Sequence, residues 1–193
     1  MKEFNVNDLV WIRMPKEYQI TEKSVEFRTD PGTDLWQRTY YGFQHDNAPV
    51  LQMKTQEKYF TFTVKAEFDC KGLFEQCGIV IYLDSDNWVK ASFEYESEQI
   101  GKLGSVVTNN GYSDWASTDV SADIDMLYYR LSRRESDYLI ETSEDGIHFK
   151  QMRIFHLNKG AEEISFGIYA CSPLDTSFVA KFNEMKLTDC IWE

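Results

Sequence analysis

The sequence predicts an all-β protein, two antiparallel sheets packed as a β-sandwich in a single domain over residues 1–193. Three observations carry this. Apolar and polar residues alternate with period two along almost every apolar segment, the spacing of a half-buried strand. Clusters of Asp, Asn, Gly and Pro separate those segments, as turns require. No segment holds a convincing helical period. More than ten short strands at this spacing fit two packed sheets. No blade-like repeat supports a propeller.

In chain order, strands are predicted over 9–13, 24–28, 59–68, 77–83, 88–96 and 105–108. The second half continues with 126–132, 138–142, 149–155, 164–171 and 177–187. Turn residues stand between them at Asp30-Pro31-Gly32, 84–87, Asn109-Asn110-Gly111, Glu144-Asp145-Gly146 and Asn158-Lys159-Gly160. Residues 121–126 predict one short turn, and 99–101 another. The last strand is expected to return beside the N-terminal strands.

Composition narrows the function classes. The net charge of −12 argues against nucleic acid, because phosphate contacts need a basic surface, and against anionic membranes. No apolar run is long enough for a membrane helix. The chain starts at Met1 with no basic segment leading into an apolar one, so the expected location is the cytoplasm. Cys70, Cys77, Cys171 and Cys190 form no CxxC and have no His at zinc-ligand spacing. Reduced thiols are expected, with Cys77 and Cys171 as small core residues. No metal, cofactor or catalytic constellation is predicted, since phosphate loops, nucleophile elbows and Cys/His pairs are missing. The oligomeric state is left unassigned.

The stretch 84–95 is the most informative. Trp88, Lys90, Ser92 and Glu94 share one face of a strand. Val89, Ala91, Phe93 and Tyr95 share the other, a core face. An indole, an ammonium and a carboxylate in a row suggest the wall of a binding groove. Lys90 and Glu94 lie ~13 Å apart along an ideal strand, so each needs a separate partner or a ligand. Arg130 is the expected partner for Glu94, and Gln76, Tyr82 and Arg38 are further neighbours.

Three stretches carry a family resemblance: Thr33-Asp34-Leu35-Trp36 through Tyr41-Gly42-Phe43 to Asp46-Asn47; then Trp88, Lys90, Glu94 and Tyr95; then Val106-Val107-Thr108 and Ser113-Asp114-Trp115. Together they resemble the DUF1349 family of unknown function. The resemblance implies a concanavalin A-like jelly roll, a fold that also occurs as the C-terminal part of some family-43 β-xylosidases. It transfers no catalytic role, and fold alone does not decide function.

The expected function is non-catalytic binding of a carbohydrate or sugar-like ligand on a concave sheet. Trp36, Trp88 and Tyr112 would stack on it, and Arg38, Lys90, Glu94 and Arg130 would bond hydroxyls. Trp115 reads as a loop anchor. A protein-interaction or regulatory module is the alternative, and the naming of the family's yeast branch points that way. A third reading, a glycoside hydrolase using Glu94 and a second acid, needs paired carboxylates at catalytic separation. The row Glu94, Glu96, Glu98 reads instead as an acidic hairpin, because Glu98 falls at a strand end.

Overall fold

A computed structural model describes residues 4–193. After a short 3-10 turn at Val6–Asp8 come β1 Val10–Trp11, β2 Glu17–Ile20, β3 Ser24–Arg28, β4 Leu35–Gln37, β5 Gln44–Asp46, β6 Val50–Thr55, β7 Tyr59–Phe68 and β8 Gln76–Asp84. There follow β9 Asn87–Tyr95, β10 Ile100–Asn109, β11 Tyr112–Ser121, β12 Met126–Arg134, β13 Asp137–Ser143, β14 Lys150–His156, β15 Ile164–Cys171 and β16 Val179–Thr188. Among the described residues no helix is long and apolar enough to cross a membrane.

Two seven-stranded antiparallel sheets form the sandwich. One runs β1-β6-β15-β8-β9-β10-β11 and the other β14-β13-β12-β7-β16-β3-β2. The last strand, β16, does pair with β3, and also with β7. The inward faces interdigitate: Cys77, Ile79, Ile81, Val89, Ala91, Phe93, Phe166 and Ile168 meet Phe60, Phe62, Val64, Tyr129, Leu131 and Phe182. Period-two alternation places them there, and burial of their apolar surface drives the packing. One polar link crosses this core. The Tyr129 hydroxyl on β12 accepts from the Phe93 N–H (2.7 Å) and donates to the Cys77 carbonyl (3.0 Å), tying the far sheet to the β8–β9 pair.

A second, smaller core covers the outer face of the first sheet. Leu35, Trp36 and Ala48 pack on Val50, Val80, Tyr82, Trp88, Val106, Tyr169 and Cys171. The β4–β5 hairpin supplies this cover. β9 is therefore buried on both faces. Alternation in the sequence marks no strand at β2, β4, β5, β6 or β11; 109–111 reads as a turn and Trp115 as a loop anchor. β4 and β5 have three residues each, too few to show a period. β11 is an edge strand exposed along most of its length, so nothing enforces alternation. Ile100 and Gly101, expected in a turn, already belong to β10.

Buried Arg133 ties loops to this frame. Its guanidinium donates to the backbone carbonyls of Glu135, Glu57, Gly160, Ala161 and Glu162 at 2.7–3.1 Å.

Candidate functional site

The outward residues of β9 begin the site. Ser92 stands between two glycines: Gly78 on β8 and Gly104 on β10 are its partners in the ladders. Neither raises a side chain beside it, and the sheet floor stays low. A Cβ at Gly104 would lie 3.0 Å from the Trp115 indole nitrogen. The result is a cavity of about 340 Å³ on the outer face.

Its floor holds Lys90, Ser92, Glu94, Gln76, Gly104 and Val106. Its walls are Trp36, Tyr41, Phe43 and His45 from the β4–β5 hairpin, Trp115 from β11, and Phe74, Pro173 and Leu174 from loops on the other side. The hairpin turn needs left-handed backbone at Arg38, Tyr40 and Gly42 (φ 58°, 60° and 74°), and glycine takes the last without strain. Its rings form a run: Trp115–Trp36 at 6.4 Å between centroids, Trp36–Tyr41 at 5.4 Å, Tyr41–Phe43 at 5.4 Å and Phe43–His45 at 4.8 Å.

Polar clips hold the hairpin over the sheet. The Asn47 side-chain oxygen accepts from the Asp34 N–H (2.8 Å), and its amide donates to the Gly32 carbonyl (2.9 Å). The Ser113 hydroxyl accepts from the Gln37 N–H (2.9 Å). The Arg38 guanidinium donates to Asp86 (3.0 Å) and to the Gly111 carbonyl (2.8 Å).

The floor charges are partnered unequally. Lys90 Nζ meets Asp34 Oδ1 at 2.9 Å, with both side chains largely buried. Burial pulls the ammonium down, but the acids beside it, Asp34 foremost, outweigh this and raise it. Glu94 Oε2 accepts from Gln76 Nε2 at 2.9 Å. Gln76 Oε1 in turn accepts from the Tyr169 hydroxyl (3.0 Å), which also bonds Ser92 Oγ (2.7 Å). Glu94 Oε1 is buried with no partner, and the residue is only 9% exposed. Burial pushes its carboxyl up to about 7, partly offset by Lys90.

That shift has a stability consequence. An acid raised in the folded state favours folding below its unfolded value near 4.5, and the contribution is lost as pH rises through about 7. Between about pH 5 and about pH 8, wild type should lose on the order of 2–3 kcal/mol relative to Glu94→Gln, which does not titrate. Paired urea denaturation curves at the two pH values measure this. Parallel behaviour of the two proteins would refute it.

The expected site residues divide. Trp36, Lys90 and Glu94 line the cavity. Trp88 does not. It is wholly buried under the hairpin, its indole N–H donating to the Ser85 carbonyl at 3.1 Å, so it has no face for a ligand. Arg38 is a hairpin clip. Arg130 lies on β12 in the other sheet, paired with Glu141 at 2.7 Å and stacked on Phe149, and is not the partner of Glu94. Tyr112 is 65% exposed at the start of β11 and is not among the lining residues. Trp115, read as a loop anchor, is 37% exposed on β11 and forms a wall. Asp34, Gln76 and the walls at 41–45, 74 and 173–174 complete the site. The mid-strand glycines were the sequence signal for its floor.

These features define a concanavalin A-like jelly-roll sandwich with a cavity roofed by aromatic loops. The chain belongs to the family described as Protein of unknown function (DUF1349), whose profile matches residues 11–190. It is 28% identical over 187 residues to Regulation of enolase protein 1 of Saccharomyces cerevisiae, covering 97% of this chain and 92% of that one. A crystal structure of a functionally unknown protein from S. cerevisiae superposes with a TM-score of 0.90 at 26% identity, covering 97% of this chain and all of that one. The GH43 BlXynB protein from Bacillus licheniformis matches 94% of this chain with a TM-score of 0.74 at 19% identity, and this chain spans 37% of its length.

Proposed function

We propose that the protein is a non-catalytic binding module whose outer-face cavity takes a carbohydrate or sugar-like ligand. The observation that carries this is the buried, unpartnered Glu94 oxygen beneath aromatic walls. A polar acceptor on the floor with indole rings beside it suits a ring that is polar at its rim and apolar on its face. The volume suits one or two such rings. In the GH43 neighbour this fold sits within a longer glycoside-hydrolase chain, an analogy that agrees with the reading. Hydrolysis fits the geometry less well. The second acid at the cavity, Asp34, is held by Lys90 and by the Leu35 N–H (2.7 Å), so it is not free to attack or to donate. All four cysteines are unpaired, which suits a reducing compartment such as the cytoplasm.

The test is a panel of mono- and oligosaccharides followed by calorimetry on the best binder. Trp115→Ala should weaken that binding about tenfold or more, the scale of a lost aromatic stacking contact, while the melting temperature moves little because the indole is part-exposed. A panel with no binder, or a variant that binds like wild type, would remove the reading.

The hairpin tip supports a second reading. Tyr40 is 93% exposed beside half-exposed Tyr41 and Phe43, an apolar tip of the kind that docks on proteins. The yeast relative's name, with its reference to regulation, agrees with this. A stoichiometric protein partner lost on Tyr40→Ser, with sugars silent, would favour it.

A further inference from the structure

The unmet chemistry of the cavity has a sign. Two carboxylates and one ammonium lie at it, and the ammonium of Lys90 is matched by Asp34. Glu94 keeps one buried oxygen without a donor. The charged groups that act on Glu94 come from every side. Lys90 and Glu96 share its strand or that strand's end, Lys102 faces it from β10, and Asp34 comes from the segment before β4. On β8 its partner, Gln76, is neutral. His45 stands in the hairpin wall. Both lysines already serve other acids, Lys90 serving Asp34 and Lys102 serving Asp119 at 3.0 Å. Glu94 is thus the acid left over.

The walls add the same preference. Trp36, Tyr41, Phe43, Phe74 and Trp115 supply five aromatic rings to the lining, and the negative quadrupole charge on aromatic faces attracts organic cations. A ligand carboxylate would meet Glu94 as a like charge. A protonated amine would satisfy the orphaned oxygen with an N–H, and an alkylated ammonium would sit against the rings.

We infer that the cavity selects ligands bearing a positively charged amine, so that among sugars it takes amino sugars over neutral and acidic ones. This rests on the cavity being the binding site proposed above, and it adds the charge of the ligand. Glu94 must be ionised to hold the cation. Affinity for a permanent cation therefore rises with pH through about 7, and binding at neutral pH releases protons.

Four probes test it by calorimetry near neutral pH: D-glucosamine, D-glucose, D-glucuronate and choline. Glucosamine should bind at least about tenfold tighter than glucose, a difference of about 1.4 kcal/mol, with glucuronate weakest. Glu94→Gln should bring the glucosamine-to-glucose ratio close to one. The choline pH profile of wild type reads the same group without a substitution, and should rise with pH. Equal binding of glucose and glucosamine overturns the inference and leaves the carbohydrate reading standing. Choline bound with every sugar silent upholds the inference and removes that reading. A preference retained in Glu94→Gln, a flat choline profile, or no binding of any probe overturns it.

Discussion

Replacing Arg133 with methionine is expected to lower the melting temperature by roughly 10 °C, or about 3–5 kcal/mol. The side chain is fully buried, and its guanidinium serves five backbone carbonyls. These belong to the turn before β7, the β12–β13 turn and the loop between β14 and β15, three segments that the one guanidinium joins. Methionine fills similar volume but donates nothing, so the Glu135, Ala161 and Glu162 carbonyls lose this donor while Gly160 keeps the Tyr138 hydroxyl (2.7 Å); a buried acceptor left without a partner costs about 1–3 kcal/mol. Lysine should fail too, because three donors on a point charge cannot reproduce the planar fork. The contrasting case is Arg130→Met. That pair with Glu141 is part-exposed, so about 1 kcal/mol is expected. Urea midpoints at unchanged slope distinguish the two. Equal, small losses would show that Arg133 is not the tie described.

Trp88→Ala should cost about 3–5 kcal/mol, because it empties a fully buried site. The indole lies at the centre of the outer core, against residues that carry the β4–β5 hairpin. Its loss should loosen the hairpin, and with it the cavity walls at Trp36, Tyr41, Phe43 and His45. Ligand binding then falls as a consequence of unfolding near the site, not of a lost contact. Trp88→Phe separates these, keeping much of the packing and restoring both stability and binding in part. A Trp88→Ala protein with wild-type stability and no ligand binding would return Trp88 to the site itself.

The two faces of β9 were legible from alternation alone, and Val89, Ala91 and Phe93 do point into the sandwich core. Alternation also separated Lys90 and Glu94 from that core and showed that they could not pair with each other. It could not show that the other face is covered too. The cover is a hairpin whose strands are too short to show a period, so Trp88 read as exposed when it is the keystone of a second core. Partners were hidden for a related reason. Asp34 lies 56 positions before Lys90, and only the β4–β5 cover brings them together. Arg130 was assigned to Glu94 by charge, whereas strand order puts β12 in the opposite sheet. Family resemblance marked Asp34, Asn47, Ser113 and Trp36, and the structure supplies a physical reason: they clip the hairpin down or line its underside.

The most direct test of the cavity as the binding site uses the protein's own indoles. Five tryptophans give five indole N–H signals, and only Trp36 and Trp115 line the cavity. On titration with the best-binding sugar, those two signals should move together with saturable shifts. Those of Trp88, buried beneath the hairpin, and of Trp11 and Trp192, away from the cavity, should stay in place. Shifts confined to the latter three, or still Trp36 and Trp115 signals under a bound sugar, would contradict the account.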